Sequence, residues 1–375
     1  MATRVLVTGG AGFIGSHIVD ALLERGYDVR ILDSLTPQVH GSSGERPRYL
    51  NRDAELIVGD MRDRSTLQSA LQGVQYISHQ AATVGVAQSM YQIAHYTSVN
   101  VMGTVTLLDV LANEPHTVER LVVASSMSIY GEGTYACPAH GVQDVALRPL
   151  AQMRGYDWEM HCPICATILT PLPTSEAKPL RPTSVYAVNK RDQEEMCLTV
   201  GRAYDLPTIA LRYFNTYGPR QALSNPYTGA VAIFSSCLLG GRAPIVYEDG
   251  RQSRDFTHVA DIVQANVLAL RATNVAFGAY NVGTGAPTSL ISMLNMLRDV
   301  ISSDISPLIK RRFREGDIRH CFADISTAQT DLGYQPTMTL EAGLRDLVPW
   351  LQEQTASNNH VIEADAELAA KGLTK

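Results

Sequence analysis

Short apolar runs alternate with amphipathic stretches through the first half of the chain. RVLVT, DVRILD, ELIVGD, VQYISH and RLVVAS each have the length of a buried strand, and segments such as SHIVDALLERG between them have helical periodicity. This alternation predicts an α/β fold in which a doubly wound parallel sheet is covered by helices. Two later runs, TIALRYFN and GAYNVG, can extend the same sheet.

The same pattern predicts the domain organisation. We expect residues 1–217 to form the sheet domain, with 256–283 returning to it, and the loop-rich residues 218–255 and 284–350 to form a smaller C-terminal substrate domain. Residues 351–375 are mostly polar and are predicted to be a loosely attached tail. Residues 132–182 interrupt the alternation with many prolines and three of the six cysteines, which indicates an insertion.

Composition excludes several classes of function. A net charge of -6 argues against a nucleic-acid surface, because phosphate backbones are held mainly by Lys and Arg. No window approaches the 18 or so apolar residues that a membrane span requires. The first residues run straight into a strand-like segment and the cysteines are irregularly spaced, so we expect a cytoplasmic protein that folds without disulfides.

A glycine-rich turn follows the first predicted strand. In RVLVTGGAGFIGSH, Gly9, Gly12 and Gly15 are three residues apart, and Phe13 and Ile14 begin a helix. Glycines at this spacing permit a tight turn and the close approach of a pyrophosphate to the helix N-terminus. Asp33 ends the second strand, where a carboxylate can accept the ribose hydroxyls and repel a 2′-phosphate. The pattern therefore predicts a Rossmann-type domain that binds NAD rather than NADP.

Three polar residues are candidates for the chemistry. Tyr186 and Lys190 are four residues apart in the helix-forming stretch SVYAVNK, so their side chains project from one face. A neighbouring ammonium is expected to lower the pKa of the phenol, so that Tyr186 can act as a base. Ser126 follows the fifth strand, where the carboxyl end of a parallel strand opens on a ligand crevice.

With these residues the chain resembles the extended short-chain dehydrogenase/reductase family, and within it the nucleotide-sugar epimerases and dehydratases. The resemblance covers about residues 3 to 345 and is carried by TGGAGFIG, Asp33, GDMRD, HQAA, SSMSIYG and YAVNK. It implies that Tyr186 is the catalytic base, that Lys190 holds the nicotinamide ribose, and that Ser126 hydrogen-bonds the sugar oxygen. It also implies further cofactor contacts by Asp60, Met61, Ala81, Ala82 and Asn100. The diphosphate is expected at Asn215, Arg254 and Arg314, and the sugar beside Thr83, Val84, Gly85 and Ser128. Asp317 is expected to be a further substrate-binding residue.

Departures from the family pattern narrow the reaction. The family's dehydratases carry an Asp-Glu pair directly after the catalytic hydroxyl, whereas this chain has Met127 and Ser128 at those positions. The family's decarboxylases usually have a Glu at the position of Ser128. These departures favour a 4-epimerase that oxidises and re-reduces C4. The resemblance implies a dTDP-6-deoxyhexose, of the rhamnose and 6-deoxy-talose type, as substrate. Alternatives are a UDP-hexose or UDP-hexuronate epimerase, a keto-sugar reductase or dehydratase, and a silent NAD-binding sensor or scaffold.

The insertion contains two ligand pairs with the same internal spacing. Cys137 and His140 are separated by two residues, as are Cys162 and Cys165. This spacing suits a closed tetrahedral zinc site, with His161 as an alternative to His140. We expect the metal to replace a missing hydrophobic core and contribute on the order of 10 kcal/mol to ordering the segment. Cys197, Cys237 and Cys321 are isolated and predicted to be ordinary buried residues.

The resemblance also has a consequence for assembly. Residues 89–114 and 184–203 resemble the two helices that pair across a family dimer in a four-helix bundle. A homodimer is therefore expected.

Overall fold

A computed structural model describes residues 2–223, 229–314, 316–353 and 361–374, with residues 361–365 described by their backbone alone. The strands, in chain order, are β1 (Arg4–Thr8), β2 (Asp28–Asp33), β3 (Glu55–Val58), β4 (Tyr76–His79), β5 (Arg120–Ser126), β6 (Thr134–Cys137), β7 (Gly141–Gln143), β8 (Thr170–Leu172), β9 (Thr208–Tyr213), β10 (Asn215–Tyr217), β11 (Ile245–Val246), β12 (Ser253–His258), β13 (Phe277–Val282), β14 (Pro287–Ser289), β15 (Leu308–Ile309) and β16 (His320–Cys321).

The helices are α1 (Phe13–Leu23), α2 (Pro37–His40), α3 (Arg64–Leu71), α4 (Val86–Ser89), α5 (Ile93–Thr97), α6 (Gly103–Asn113), α7 (Leu150–Arg154), α8 (Val185–Ala203), α9 (Ala230–Leu239), α10 (Val259–Arg271), α11 (Leu290–Val300), α12 (Ser326–Leu332), α13 (Leu340–Glu353) and α14 (Val361–Ala370). A π-helical turn at Ser98–Met102 joins α5 to α6, and a 3₁₀ turn at Met127–Tyr130 follows β5. Among the described helices, none is both long and apolar enough to cross a membrane.

Seven parallel strands form the central sheet in the order β13-β9-β5-β4-β1-β2-β3. They are the seven strands predicted from the apolar runs. The sheet is buried on both faces, since Val5 and Val7 of β1 belong to one hydrophobic core and Leu6, between them, belongs to the other. The strand order reverses between β1 and β4, which opens a crevice at the carboxyl ends of the strands. The predicted α/β, Rossmann-type fold is confirmed.

A second layer covers the mouth of this crevice. β12 pairs with β10, β14 and β16, and β11 pairs with β15. A separate core that includes Phe234, Phe256 and Leu344 joins these strands to α9, α11 and α13. This layer places β12 and the chain around β15 and β16 opposite the glycine loop.

The insertion (residues 132–182) contains an antiparallel sheet of its own, in the order β7-β6-β8. The expectation that it lacks a hydrophobic core is wrong. Six buried side chains pack together inside it, namely Tyr135, Cys137, Val145, Met160, Cys162 and Leu169. The sequence does not reveal this core, because its residues are scattered over 35 positions without periodicity. They come together only when β6 packs against residues 160–169.

The C-terminal segment differs from the predicted loose polar tail. Residues 354–360 lie outside the described part of the chain, but α13 continues to Glu353 and α14 follows. Leu368 of α14 is buried, Glu367 accepts a hydrogen bond from the Tyr91 hydroxyl at 3.0 Å, and Thr374 forms a β-bridge with Arg314. Among the side chains that the structure describes, Leu368 and a few polar groups therefore attach a segment whose composition is mostly polar.

Candidate active site

The glycine turn between β1 and α1 lies against the start of the crevice. Gly9 has a φ of 67°, and a Cβ placed on it would lie 2.8 Å from the backbone of Ala81. A Cβ on Gly15 would lie 2.2 Å from the carbonyl oxygen of Gly9. Side chains are therefore excluded at both positions. The first turn of α1 carries no side-chain cap, so its backbone N–H groups and positive end are available to a phosphate.

Asp33 is fixed at the end of β2 by backbone donors. Its carboxylate accepts hydrogen bonds from Ala11 N at 3.0 Å and Leu35 N at 2.9 Å. This arrangement holds a negative charge against the wall of the crevice beside the glycine turn, where a ribose with free hydroxyls fits and a 2′-phosphate is repelled. The glycine turn and Asp33 together fit a bound NAD.

The three candidate catalytic residues converge across the crevice. Ser126 ends β5, while α8 begins after Ser184, whose hydroxyl accepts a hydrogen bond from Ala187 N at 3.1 Å. The helix thereby carries Tyr186 and Lys190 into the crevice wall, where both are buried. The Ser126 hydroxyl interacts with the Tyr186 phenol and lowers its pKa, and Ser128 Oγ donates to Ser126 Oγ at 2.9 Å. The structure thus brings together the three groups that the sequence predicted.

The predicted pKa of the phenol is wrong in direction. Burial raises the pKa of Tyr186 to about 12, and the Ser126 hydroxyl opposes this rise only in part. Burial also lowers the pKa of Lys190 to about 8. Desolvation, which the sequence does not show, is therefore the largest influence on the pKa of both groups.

A buried histidine that the sequence analysis missed lies beneath this site. His79 ends β4, with Nδ1 2.7 Å from Thr8 Oγ1 and Nε2 3.0 Å from Thr104 Oγ1. Burial, assisted by the charge of Lys190, lowers the pKa of His79 to about 3. The ring is therefore neutral at physiological pH and supports the floor of the crevice. Its position at a strand end, within the HQAA motif, was the available signal.

Asn100 does not line the crevice, contrary to its assignment as a cofactor contact. It is fully buried in the π-helical turn, where Oδ1 accepts from Thr83 N at 2.7 Å and Nδ2 donates to Thr83 O at 3.1 Å. Asn100 therefore fixes the backbone of the Thr83 segment from behind.

The substrate side of the crevice carries two arginines. Arg254 of β12 donates from Nη2 to Ile318 O at 2.7 Å and from Nη1 to Arg319 O at 3.0 Å. The Arg314 guanidinium lies over the ring of Tyr247, 4.3 Å from its centroid. Oδ1 of Asn215 is buried and has no hydrogen-bond partner among the described residues, so it is available to a ligand. Tyr247 is a wall residue that the sequence analysis missed.

These parts enclose one cavity of about 680 Å³ that reaches from Asp33 to Arg314. Apart from Asn100, every predicted catalytic, cofactor and substrate residue lines it: Gly9, Gly12, Phe13, Ile14, Gly15, Asp33, Asp60, Met61, Ala81, Ala82, Thr83, Val84, Gly85, Ser126, Ser128, Tyr186, Lys190, Asn215, Arg254, Arg314 and Asp317. The extent of the cavity suits two ligands placed end to end.

A cysteine and histidine cluster lies in the insertion, outside this cavity. The ligand atoms of Cys137, His140, Cys162 and Cys165 all lie within 4.8 Å of one another. His140 Nδ1 is 3.4 Å from Cys137 Sγ and 3.5 Å from Cys162 Sγ, and the Sγ atoms of Cys137 and Cys165 are 3.6 Å apart. Zn–S bonds of about 2.3 Å and Zn–N bonds of about 2.0 Å in a tetrahedron require separations of about 3.5 to 3.8 Å. The four side chains fit a zinc ion.

The alternative ligand His161 is not part of this cluster. Its Nε2 lies 2.8 Å from Asp157 Oδ2 and its Nδ1 lies 2.9 Å from Ala166 O. Both ring nitrogens are therefore engaged elsewhere. The isolated Cys197, Cys237 and Cys321 are buried, as predicted.

Comparison with known proteins gives a consistent result. The NAD dependent epimerase/dehydratase family model matches residues 5–160, and the GDP-mannose 4,6 dehydratase model matches residues 169–347. The dTDP-L-rhamnose 4-epimerase of Burkholderia thailandensis is 33% identical over 358 residues, covering 95% of this chain and 97% of that protein. A putative UDP-glucose 4-epimerase of Methanocaldococcus jannaschii is also 33% identical, covering 93% and 98%. The structure of the Thermus thermophilus UDP-glucose 4-epimerase with NAD has a TM-score of 0.74 at 30% identity, covering 94% of this chain and 100% of that one.

Proposed function

The chain belongs to the NAD-dependent epimerase/dehydratase family, and we propose that it interconverts the C4 epimers of a nucleotide-diphosphate sugar. The observation that carries this proposal is the convergence of Ser126 and Tyr186 in one cavity with the glycine turn and the two arginines. That arrangement presents a hydroxyl pair to a sugar between a dinucleotide site and a diphosphate site. Both sequence relatives named above are called 4-epimerases.

Tyr186 takes the proton of the C4 hydroxyl and later returns it, while Ser126 orients the same oxygen. Bound NAD would supply the hydride acceptor and, when oxidised, a positive ring charge that favours the phenolate. Lys190 would hold the cofactor ribose. Arg254 and Arg314 anchor the diphosphate, since two negative charges require directional cationic partners. Between oxidation and reduction the keto sugar rotates in the pocket, so that the hydride returns to the opposite face of C4. The small side chains of Thr83 and Ser128, and Gly85, leave room for this rotation.

Other reactions of the family are less well supported. The residues after Ser126 are Met127 and Ser128, which cannot supply the acid and base that water loss requires. The match to a dehydratase model in the second half of the chain lies outside these two positions. A silent NAD-binding sensor is disfavoured because Ser126, Tyr186 and Lys190 are all present and converge.

For the substrate we propose a dTDP-6-deoxyhexose of the rhamnose or 6-deoxy-talose type. The side chains at the sugar end, Thr83, Val84, Gly85 and Ser128, are small and neutral, which suits a neutral deoxysugar. A UDP-hexose or UDP-hexuronate remains the alternative, because the two relatives named above are equally identical to the chain and differ in the nucleotide.

The test is to incubate the purified protein with dTDP- and UDP-sugars and follow the products by NMR without added cofactor. We expect C4 epimers to accumulate from one nucleotide class, because the hydride returns to the substrate and bound NAD is regenerated. Stoichiometric consumption of NADH with a keto sugar would instead identify a reductase. Release of water would identify a dehydratase, and bound NAD without turnover of any sugar would identify a silent protein.

We also propose that the Cys137, His140, Cys162 and Cys165 cluster binds a structural zinc ion. Support comes from ligand separations that match a tetrahedral site and from its distance from the catalytic cavity, which has a separate set of lining residues. Elemental analysis is expected to find about one zinc per chain. Cys162→Ser should lose the metal, whereas Cys237→Ser, at a buried cysteine of α9, should keep it. Equal metal content in both variants would refute the site.

A homodimer is the proposed assembly. Ile93, Met102 and Val188 are large apolar side chains, 54%, 49% and 43% exposed, on α5, the π-helical turn and α8. These are the segments that resemble the family's pairing helices. Light scattering after gel filtration should give twice the monomer mass, and Met102→Glu should reduce it to the monomer mass. A monomeric wild type would refute the assembly.

A further inference from the structure

A buried network of charges connects the insertion to the substrate wall of the cavity, which is the side that carries Arg254 and Arg314. Its two cations are Arg148, inside the insertion, and Arg319, just before β16, and both side chains are almost fully buried. Its anions are Glu132 and Glu159 of the insertion and Glu248 and Asp249 of the turn before β12. Buried charges persist only when they are paired in good geometry, so such a network fixes the relative positions of its members.

Arg148 is the direct bridge. Its guanidinium binds both carboxylate oxygens of Glu248, at 2.9 Å to Oε2 and 2.8 Å to Oε1. The same group donates to Trp158 O at 2.9 Å, within the insertion, and to Asp317 O at 3.1 Å, on the substrate wall. One planar, five-donor side chain thus joins three separate segments, a task that no other cation can perform with the same geometry.

Glu248 and its neighbours form part of the wall that faces a substrate. Glu248 has a φ of 54°, which is unusual for a residue with a side chain, and Glu248 N donates to Arg312 O at 2.8 Å. Tyr247, the residue before it, lies under the Arg314 guanidinium. The bidentate pair with Arg148 therefore holds the turn that supports Arg314.

Arg319 extends the same support to Arg254. Its guanidinium contacts Glu248 at 3.0 Å and Asp249 at 2.7 Å, and it pairs with Glu159 of the insertion at 2.5 Å. Its backbone carbonyl accepts from Arg254 Nη1, and its backbone N–H donates to the Glu132 carboxylate at 2.8 Å. Both arginines of the substrate wall therefore contact residues that are held by ion pairs or hydrogen bonds from the insertion. Arg254 contacts Arg319, and Arg314 contacts Tyr247, next to Glu248.

We propose that Arg148 is a positioning residue for the nucleotide-diphosphate site, and that the insertion acts on the reaction through it by holding Arg254 and Arg314. The inference rests on the proposed function and deepens it, since it names how the metal-binding segment reaches the substrate. Arg148 does not line the cavity, so its role is distinct from that of a ligand-binding residue. Its loss should weaken substrate binding and spare the chemical step, since Ser126, Tyr186 and Lys190 are not part of the network.

The test compares Arg148→Met with Arg181→Met. Arg181 is also in the insertion, but it forms a half-exposed ion pair with Asp144, which makes it a matched control. Arg148→Met is expected to raise KM for the sugar nucleotide at least tenfold with kcat changed less than threefold, while bound NAD and zinc content stay constant. Arg181→Met is expected to leave both parameters unchanged. A KM for Arg148→Met equal to that of the wild type would overturn the proposal.

Two further measurements keep the result interpretable. Arg148→Lys keeps the positive charge but cannot form the bidentate pair with Glu248, so it should raise KM severalfold. It replaces Arg148→Met as the test if Arg148→Met fails to retain NAD, and an unchanged KM would then refute the proposal. Calorimetric Kd values for UDP and dTDP, measured on each protein, separate this inference from the proposed function. If the wild type binds UDP or dTDP but converts no sugar, the proposed function alone is refuted. The role of Arg148 is then still tested by the Kd for the nucleotide, which should be higher in the Arg148 variant than in the wild type.

Discussion

The hydroxyl of Ser126, at the end of β5, interacts with the phenol of Tyr186 on α8 and opposes the rise in the phenol's pKa that burial causes. The two residues are 60 positions apart in sequence, and the whole insertion lies between them. The contact aligns a proton acceptor with a hydroxyl at the carboxyl edge of the sheet, where the glycine turn also ends. This pair is the chemical centre from which the first prediction follows.

Tyr186→Phe removes the proton acceptor without changing the volume of the ring. We expect kcat to fall by about 10²- to 10⁴-fold, the usual contribution of a positioned general base, while bound NAD is retained. The control is Tyr204→Phe, at the exposed C-terminal end of the same helix, which should be as active as the wild type. Initial rates by NMR measure both, and a Tyr186→Phe rate within tenfold of wild type would contradict the assigned role.

Asp33→Asn should reduce the preference for NAD over NADP. The substitution keeps a side-chain oxygen for Ala11 N or Leu35 N but removes the negative charge that repels a 2′-phosphate. A hydrogen bond to a charged group contributes about 1.5–3 kcal/mol, so the Kd for NAD should rise at least tenfold. Fluorescence titration with both cofactors measures the change, with the exposed Asp53→Asn as control. An unaltered ratio of the two Kd values would contradict the prediction.

His79 makes the stability of the protein depend on pH. Its pKa is about 3 in the folded protein and about 6.5 in an unfolded chain, so between these values the unfolded chain binds a proton that the folded protein does not. Stability is therefore lost as pH falls below 6.5. His79→Asn removes this dependence, so the difference in free energy of unfolding between wild type and variant should shrink by about 2 kcal/mol between pH 7.5 and pH 5.

Urea unfolding at both pH values, at one NAD concentration, provides the measurement. Any effect of acid on the insertion is the same in both proteins, so the comparison between them cancels it. A difference that stays constant with pH would show that His79 is not the responsible group.

Leu368 attaches the C-terminal helix to the edge of the cavity. The side chain is 4% exposed and lines the cavity with Thr83 and Val84. Leu368→Ala should destabilise this attachment by about 2–3 kcal/mol and expose the segment to limited proteolysis. Leu308→Ala, at a half-exposed leucine of β15, should digest at the rate of the wild type. Equal digestion of all three proteins would contradict the prediction.

Much of the site was predictable because its signals are local. A strand, three glycines and the start of a helix are contiguous, so their spacing in sequence is their spacing in space. The four-residue step from Tyr186 to Lys190 spans one helical turn for the same reason. The burial of Asn100 against Thr83 was not predictable, because it depends on a π-helical turn that no pattern of apolar positions reports.

The sequence alone determined the seven-stranded sheet, the dinucleotide turn, the candidate catalytic groups and the four metal-ligand candidates, since each follows from periodicity or from spacing within a short segment. Only the tertiary structure decided the raised pKa of Tyr186, the small core of the insertion, and the contact of Arg148 with Glu248, 100 residues away. These depend on burial and on long-range pairing. Desolvation energy is set by everything that surrounds a group, and the neighbours that surround it are known only once the chain has folded.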